Sequence, residues 1–150
     1  MKNTIISSVA MVISLCIVIF VVSSFFVLDK KLIGFVLIAL FGICLVSLIP
    51  MGIKIRSVQP DIIFGIIDNG ILAIFALVGA EFAGIAGAII GGVVGNAITD
   101  GIAGLFEGYS SERLRKKNID DGRTILGSAI GKMGGCLLGA GCVLVVASFL

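Results

Sequence analysis

The stretch IIDNGILAIFALVGAEFAGIAGAIIGGVVGNAITDGIAGLF, residues 66–106, decides how this chain folds. It is about twice as long as one membrane helix, which needs about 20 mostly apolar residues. Glu81, among small residues, is its one polar interruption near the middle. The stretch therefore reads as parts of two helices, roughly Asp61–Gly79 and Gly84–Leu105, joined by a short turn. Asp68 and Asp100 lie well inside them, where lipid is expected. A carboxylate there costs about 2.5–3.5 kcal/mol on insertion scales, so each acid must be explained by what it faces.

The rest of the chain agrees with a membrane setting. Of 150 residues 59% are hydrophobic and 13% charged, with mean hydropathy +1.25. A soluble domain carries about a quarter charged residues. The expected class is an all-α integral membrane protein of a prokaryotic plasma membrane, with the bilayer as its first partner. No polar segment is long enough to fold alone. Basic residues are scattered at segment ends, which argues against nucleic acid as a partner. Cys16, Cys44, Cys136 and Cys142 all sit in apolar runs, and the chain has no histidine. Zinc and haem sets are thereby disfavoured, no permanently bound cofactor is expected, and the cysteines read as small packing residues.

Five spans are expected. The first is Thr4–Leu28, whose apolar part exceeds the ~7–15 residues of a signal-peptide core. The turn Asp29–Lys31 leads to a second span, Leu32–Ile53, with Pro50 near its end. KIRSVQPD forms the next loop, with Pro60 in the first turn of the third helix, where a missing N–H is harmless. After Asp61–Gly79 and Gly84–Leu105 comes a polar loop, residues 107–123, then a fifth span, Thr124–Phe149. Lys54 and Arg56 in one loop, and Arg113, Arg115, Lys116, Lys117 and Arg123 in another, place both loops in the cytoplasm. The expected topology is a five-helix bundle with N-terminus cytoplasmic and C-terminus outside. Lys30 and Lys31 run against this rule.

Composition divides the chain near residue 58. Residues 1–58 read as two lipid-facing helices rich in Val, Ile, Leu and Phe; residues 59–150 read as a glycine-rich functional core of three helices. Ala83, Gly87, Gly91 and Gly95 recur every four residues, as do Gly127, Gly131, Gly135 and Gly139. Residues four apart share a helix face, so each series makes a smooth groove for a partner backbone. That partner is in the same chain or in a second copy. A faint echo links DNGILAIFA (68–76) to TDGIAGLFE (99–107).

At about 1.5 Å per residue, Asp68 lies roughly 10 Å from the cytoplasmic end of its span, and Asp100 at a similar depth. Lys132 lies roughly 12 Å deep in the last span. Asn69 adjoins Asp68, and Asn96 shares a face with Asp100. The expectation is one polar layer in which Asp68, Asn69, Asn96 and Asp100 face each other and hold a hard divalent cation or carry protons. Lys132 neutralises an aspartate when the site is empty, or the set is a static network fixing helix register. Glu81 and Glu107 either line the route in and out or are ordinary interfacial acids.

IDNGILAIFALVGAEFAG and ITDGIAGLFEGYSSE resemble the first two helices of the vacuolar iron transporter family, over residues 62–117. In that family an Asn-Asp-Gly-Ile-type helix precedes a short outside turn and a small-residue helix with an Ala-Asp-Gly…Gly-x-Tyr-x-Ser motif. The resemblance implies exchange of Fe²⁺ or Mn²⁺ for protons by a dimer, with Asp68, Asp100, Gly101, Tyr109 and Ser110 at matching positions. The order here is Asp-Asn-Gly, Gly104 stands where the family has a metal-contacting methionine, and a short basic loop replaces a glutamate-rich region.

Two functions follow. One is a small transporter or channel for a divalent cation of the Mn/Fe/Mg class, with or without proton coupling, favoured as a dimer. The other is a non-transporting, glycine-packed protein acting as an oligomeric scaffold or a subunit of a larger complex. An enzyme is not expected, because no Gly-x-Gly-Asp protease context, no histidine-based nucleophile pair and no phosphate-cradling loop is present.

Overall fold

The computed structural model describes residues 2–117 and 124–150, with side chains for 5–103, 105, 112 and 124–150. Four helices follow in order: α1 (Lys2–Phe26), α2 (Ile33–Leu48), α3 (Ile55–Lys117) and α4 (Ile125–Ala147). There is no strand among the described residues. Three helical segments, Ile5–Phe26, Ile55–Ala103 and Ile125–Ala147, are long and apolar enough to cross a membrane, and α2 is a shorter apolar helix. The protein is therefore helical and membrane-embedded.

The third and fourth expected spans are one helix by hydrogen bonding, broken at Ala83 (φ −144°, ψ 25°) and Gly84 (φ 57°, ψ −136°). The break folds the chain back on itself. A Cβ built on Gly87 would overlap the Gly79 carbonyl, and one on Gly91 would overlap that of Phe75. One on Gly95 would lie 3.1 Å from Leu72 Cα. Residues 55–82 and 85–117 are thus two antiparallel arms at backbone contact. Hydrocarbon gives helices no hydrophobic reason to associate, so close van der Waals fit has to hold them, and glycine allows it. Gly84 adopts a backbone conformation that L side chains avoid. Gly84→Ala is expected to cost roughly 1–3 kcal/mol, read as a lower unfolding midpoint in detergent.

α4 is the hub, packing most extensively on α3 and next on α2, whereas α1 touches α2 and α4 only sparsely. Gly131, Gly135 and Gly139 meet α3 at Asp61 and Val58, at Ile62 and Gly65, and at Ile66 and Gly70. Gly127, one turn earlier, packs by Val58 and Ile53. A different face, Gly134 and Gly141, takes α2: Gly134 sits by Phe41 and Cys44, and Gly141 by Gly34. Glycine on two faces makes α4 thin enough to lie between two helices. α2 is therefore not simply lipid-facing. Its Leu40, Cys44 and Leu48 are buried, and the last two join Val58, Ile62, Leu126 and Ile130 in the core. The packing runs across the boundary expected at residue 58, and α1 also contributes Leu15 to the same core, with Met11, Val12 and Ile19 packed against it.

Two ends differ from expectation, and a third agrees with it. α2 stops at Leu48, not Ile53, with Ile53 N–H donating to the Leu48 carbonyl and Gly52 N–H to that of Ile49. Gly52 has φ 66°, so this is a glycine-dependent Schellman stop. α3 begins at Ile55, leaving Pro60 in its second turn, where it removes the amide that would donate to the Arg56 carbonyl. At the start of α4, Thr124 Oγ1 accepts from Gly127 N–H at 3.0 Å, an N-cap within the expected span Thr124–Phe149.

Candidate functional site

The polar residues are placed by these glycine contacts. Gly65 lies one turn after Asp61 and nearly one before Asp68, so all three share a stripe of α3. A Cβ on Gly65 would come within 2.7 Å of Cys136 N, so this stripe runs directly along α4. Asp61 is only 1% exposed, and Ser128 Oγ of α4 donates to its Oδ1 at 2.8 Å. Asp68 is 8% exposed and receives a short hydrogen bond from Thr99 Oγ1 of the second α3 arm. Thr99 is itself buried, with the Gly95 and Asn96 carbonyl oxygens 3.1 and 3.0 Å from its hydroxyl. Its single proton serves the Asp68 carboxyl, the more demanding acceptor.

Beside Asp68, the Asn69 side chain and the Cys136 thiol are neighbours across the α3–α4 seam, near Lys132. The Lys132 Nζ lies 4.7 Å from the centre of the Phe64 ring, a cation–π contact between α4 and α3. Asp68, Asn69 and Lys132 thus lie near one another at the α3–α4 seam, with Thr99 and Cys136 beside them.

The Asn96–Asp100 pair faces elsewhere. Asn96 Nδ2 donates to Asp100 Oδ2 at 2.8 Å, and Asp100 is exposed. The reason is rotational phase. Gly87, Gly91 and Gly95 fix which face of the second arm meets the first, and Thr99 continues that stripe. Asp100 is one residue, about 100°, further round. The four-residue pairing of Asn96 with Asp100 holds, but Asp68 and Asp100 do not share a site within one chain. Among the described residues no three His, Cys, Asp or Glu side chains form a group able to hold a metal ion. Glu81 is exposed next to the fold-back. The Glu107, Tyr109 and Ser110 side chains lie outside the described residues.

Three members of the seam were passed over in the sequence. Asp61 read as a span boundary, although seven residues before Asp68 is nearly two turns on the same face. Thr99 was overshadowed by the charge next to it. Cys136 follows Lys132 by four residues, which puts it on the face of a residue already singled out. No protein-family model, curated protein or solved structure matches this chain.

Proposed function

We propose that the chain is a non-catalytic membrane subunit that self-assembles through the second arm of α3. The observation that carries this reading is the Asn96–Asp100 pair, half-buried at Asn96 and exposed at Asp100, on an arm whose neighbouring positions, Ile85, Ile89 and Val93, are exposed and apolar. Asp100 lies sixteen residues beyond Gly84, about 24 Å along the arm, inside a hydrocarbon core about 30 Å thick. A polar pair at that depth calls for a covering helix. A second copy offers the same amide and carboxylate, so each Asn96 can donate to the other chain's Asp100 across a two-fold axis. Within this reading the two α3 arms each cross the bilayer, giving five crossings with the N-terminus and basic loops in the cytoplasm.

The test is subunit counting by single-molecule photobleaching in vesicles over a range of dilution. Wild type is expected as pairs or larger assemblies. Asp100→Leu is expected to shift the equilibrium toward monomer by roughly five- to thirtyfold, the worth of about 1–2 kcal/mol for an interhelical polar contact. Wild-type monomers at every density would end the proposal.

A second reading, transport of a divalent cation, is favoured by Asp68, buried with Thr99 and close to Asn69, Cys136 and Lys132. An intramembrane carboxylate at a helix seam is a functional position by default. This reading rests also on the resemblance to vacuolar iron transporters. It expects Mn²⁺, Fe²⁺ or Mg²⁺ uptake into proteoliposomes, dependent on a pH gradient if coupled to protons and lost in Asp68→Asn. Absence of flux for all of them, with the protein folded, would remove it.

A further inference from the structure

A groove of about 580 Å³ opens between α1, α2 and α4. That volume falls within the roughly 300–1,000 Å³ of small-ligand pockets. Its deep end is apolar and closed where Cys16 Sγ lies 4.0 Å from Met133 Sδ. Leu37 of α2 forms part of its wall. Its other end is lined by Ser23, Val27 and Ile33, residues that flank the α1–α2 turn. We propose that this groove binds an anionic phospholipid, one acyl chain in the apolar part and the phosphate at Lys30 and Lys31.

Three observations select that occupant. First, the groove is apolar along its length, as an acyl chain requires, and its two serines, Ser23 and Ser24, both lie toward the α1–α2 turn that carries Lys30 and Lys31. Second, Ser23 Oγ is buried with no hydrogen-bond partner. The neighbouring Ser24 hydroxyl, by contrast, is spent on the Phe20 carbonyl at 2.7 Å. In hydrocarbon an unpaired hydroxyl is costly. Ser23 lies about 5 Å below the end of α1, where turning its side chain into the groove would let an oxygen at the glycerol level of a phospholipid accept its proton. Third, Lys30 and Lys31 are both exposed in the turn above, and the only acid there is already engaged. Asp29 Oδ1 accepts from Lys31 N–H and Leu32 N–H, each at 3.1 Å. The turn therefore presents two ammonium groups against one carboxylate held by its own backbone, a net positive charge that attracts an anionic headgroup. The sparse contacts of α1 leave it free to close over a chain.

The proposal is independent of both functional readings. It is tested by native mass spectrometry of the full chain, released from mild detergent after equilibration with equal amounts of phosphatidylglycerol and phosphatidylcholine. Wild type is expected to retain one phosphatidylglycerol in at least fivefold preference. Lys30→Gln with Lys31→Gln, both on the surface, should bring that preference to unity while the fold is unchanged. Leu37→Trp should fill the groove and release both lipids. Equal retention of the two lipids by wild type, or unchanged preference in the double lysine variant, would overturn the proposal. So would full occupancy in a folded Leu37→Trp protein.

Discussion

Gly135→Leu is expected to push α4 off α3 and to lower stability by at least the upper end of the ~1–3 kcal/mol typical of overpacking. A Cβ at this position would overlap the Ile62 carbonyl oxygen, lie 2.9 Å from its carbon and 3.0 Å from Gly65 Cα. All three are backbone atoms of a regular helix, so no rotamer change relieves the clash. α4 and α3 must separate, and the Asp61–Ser128 contact and the Asp68 neighbourhood go with them. Reversible unfolding in mixed detergent micelles measures this. Gly42→Ala is the matching control: nothing lies within 4 Å of its Cβ, and alanine is the better helix former by about 1 kcal/mol. Its midpoint should be equal to or above that of wild type. A Gly135→Leu protein as stable as Gly42→Ala would contradict the packing described for the seam.

The second large effect belongs to Thr99→Val. Valine keeps the shape and removes the one donor shown for Asp68 Oδ1. Leaving a buried acceptor unsatisfied costs about 1–3 kcal/mol, and more when the group is charged. Thr99→Ser, which keeps the hydroxyl, should recover most of the loss. The loss should also shrink when Asp68 is first changed to leucine, since the acceptor is then gone; that difference is the coupling energy of the pair. Equal losses from Thr99→Val in the presence and absence of Asp68 would mean that the hydroxyl acts on its own helix alone.

Much of the fold was legible because hydropathy and glycine spacing are local signals. The long apolar runs predicted the membrane helices, and Glu81 lies two residues before the observed break at Ala83–Gly84. The four-residue glycine series mark the faces that do meet neighbouring backbone, in the second α3 arm and in α4. The role of α2 was less legible, because a single Gly34 against Gly141 makes its closest approach and a single glycine forms no series. The polar residues of the seam stood out as charges and amides inside apolar runs, but their phase did not. Asp68, Asn69 and Lys132 gather, yet whether Thr99 or Asp100 turns inward is a rotation of about 100°, which spacing along one helix leaves open. That rotation is set by Gly91 against Phe75 and Gly95 against Leu72, contacts that exist only once the chain has folded back.

The fold-back is accordingly the claim on which the placement of both aspartates depends. The most direct measurement is spontaneous disulfide formation in an Ala76→Cys, Gly92→Cys protein, mapped by peptide mass spectrometry to separate the new bond from the native cysteines. A Cβ on Gly92 lies 3.9 Å from Ala76 Cβ, within the roughly 3.5–4.5 Å that a disulfide requires. In an unbroken α3 the same sixteen-residue separation would be about 24 Å. The account predicts an intramolecular 76–92 bond formed in the membrane without added force or denaturant. Free thiols at both positions, or bonds found only between chains, would contradict it.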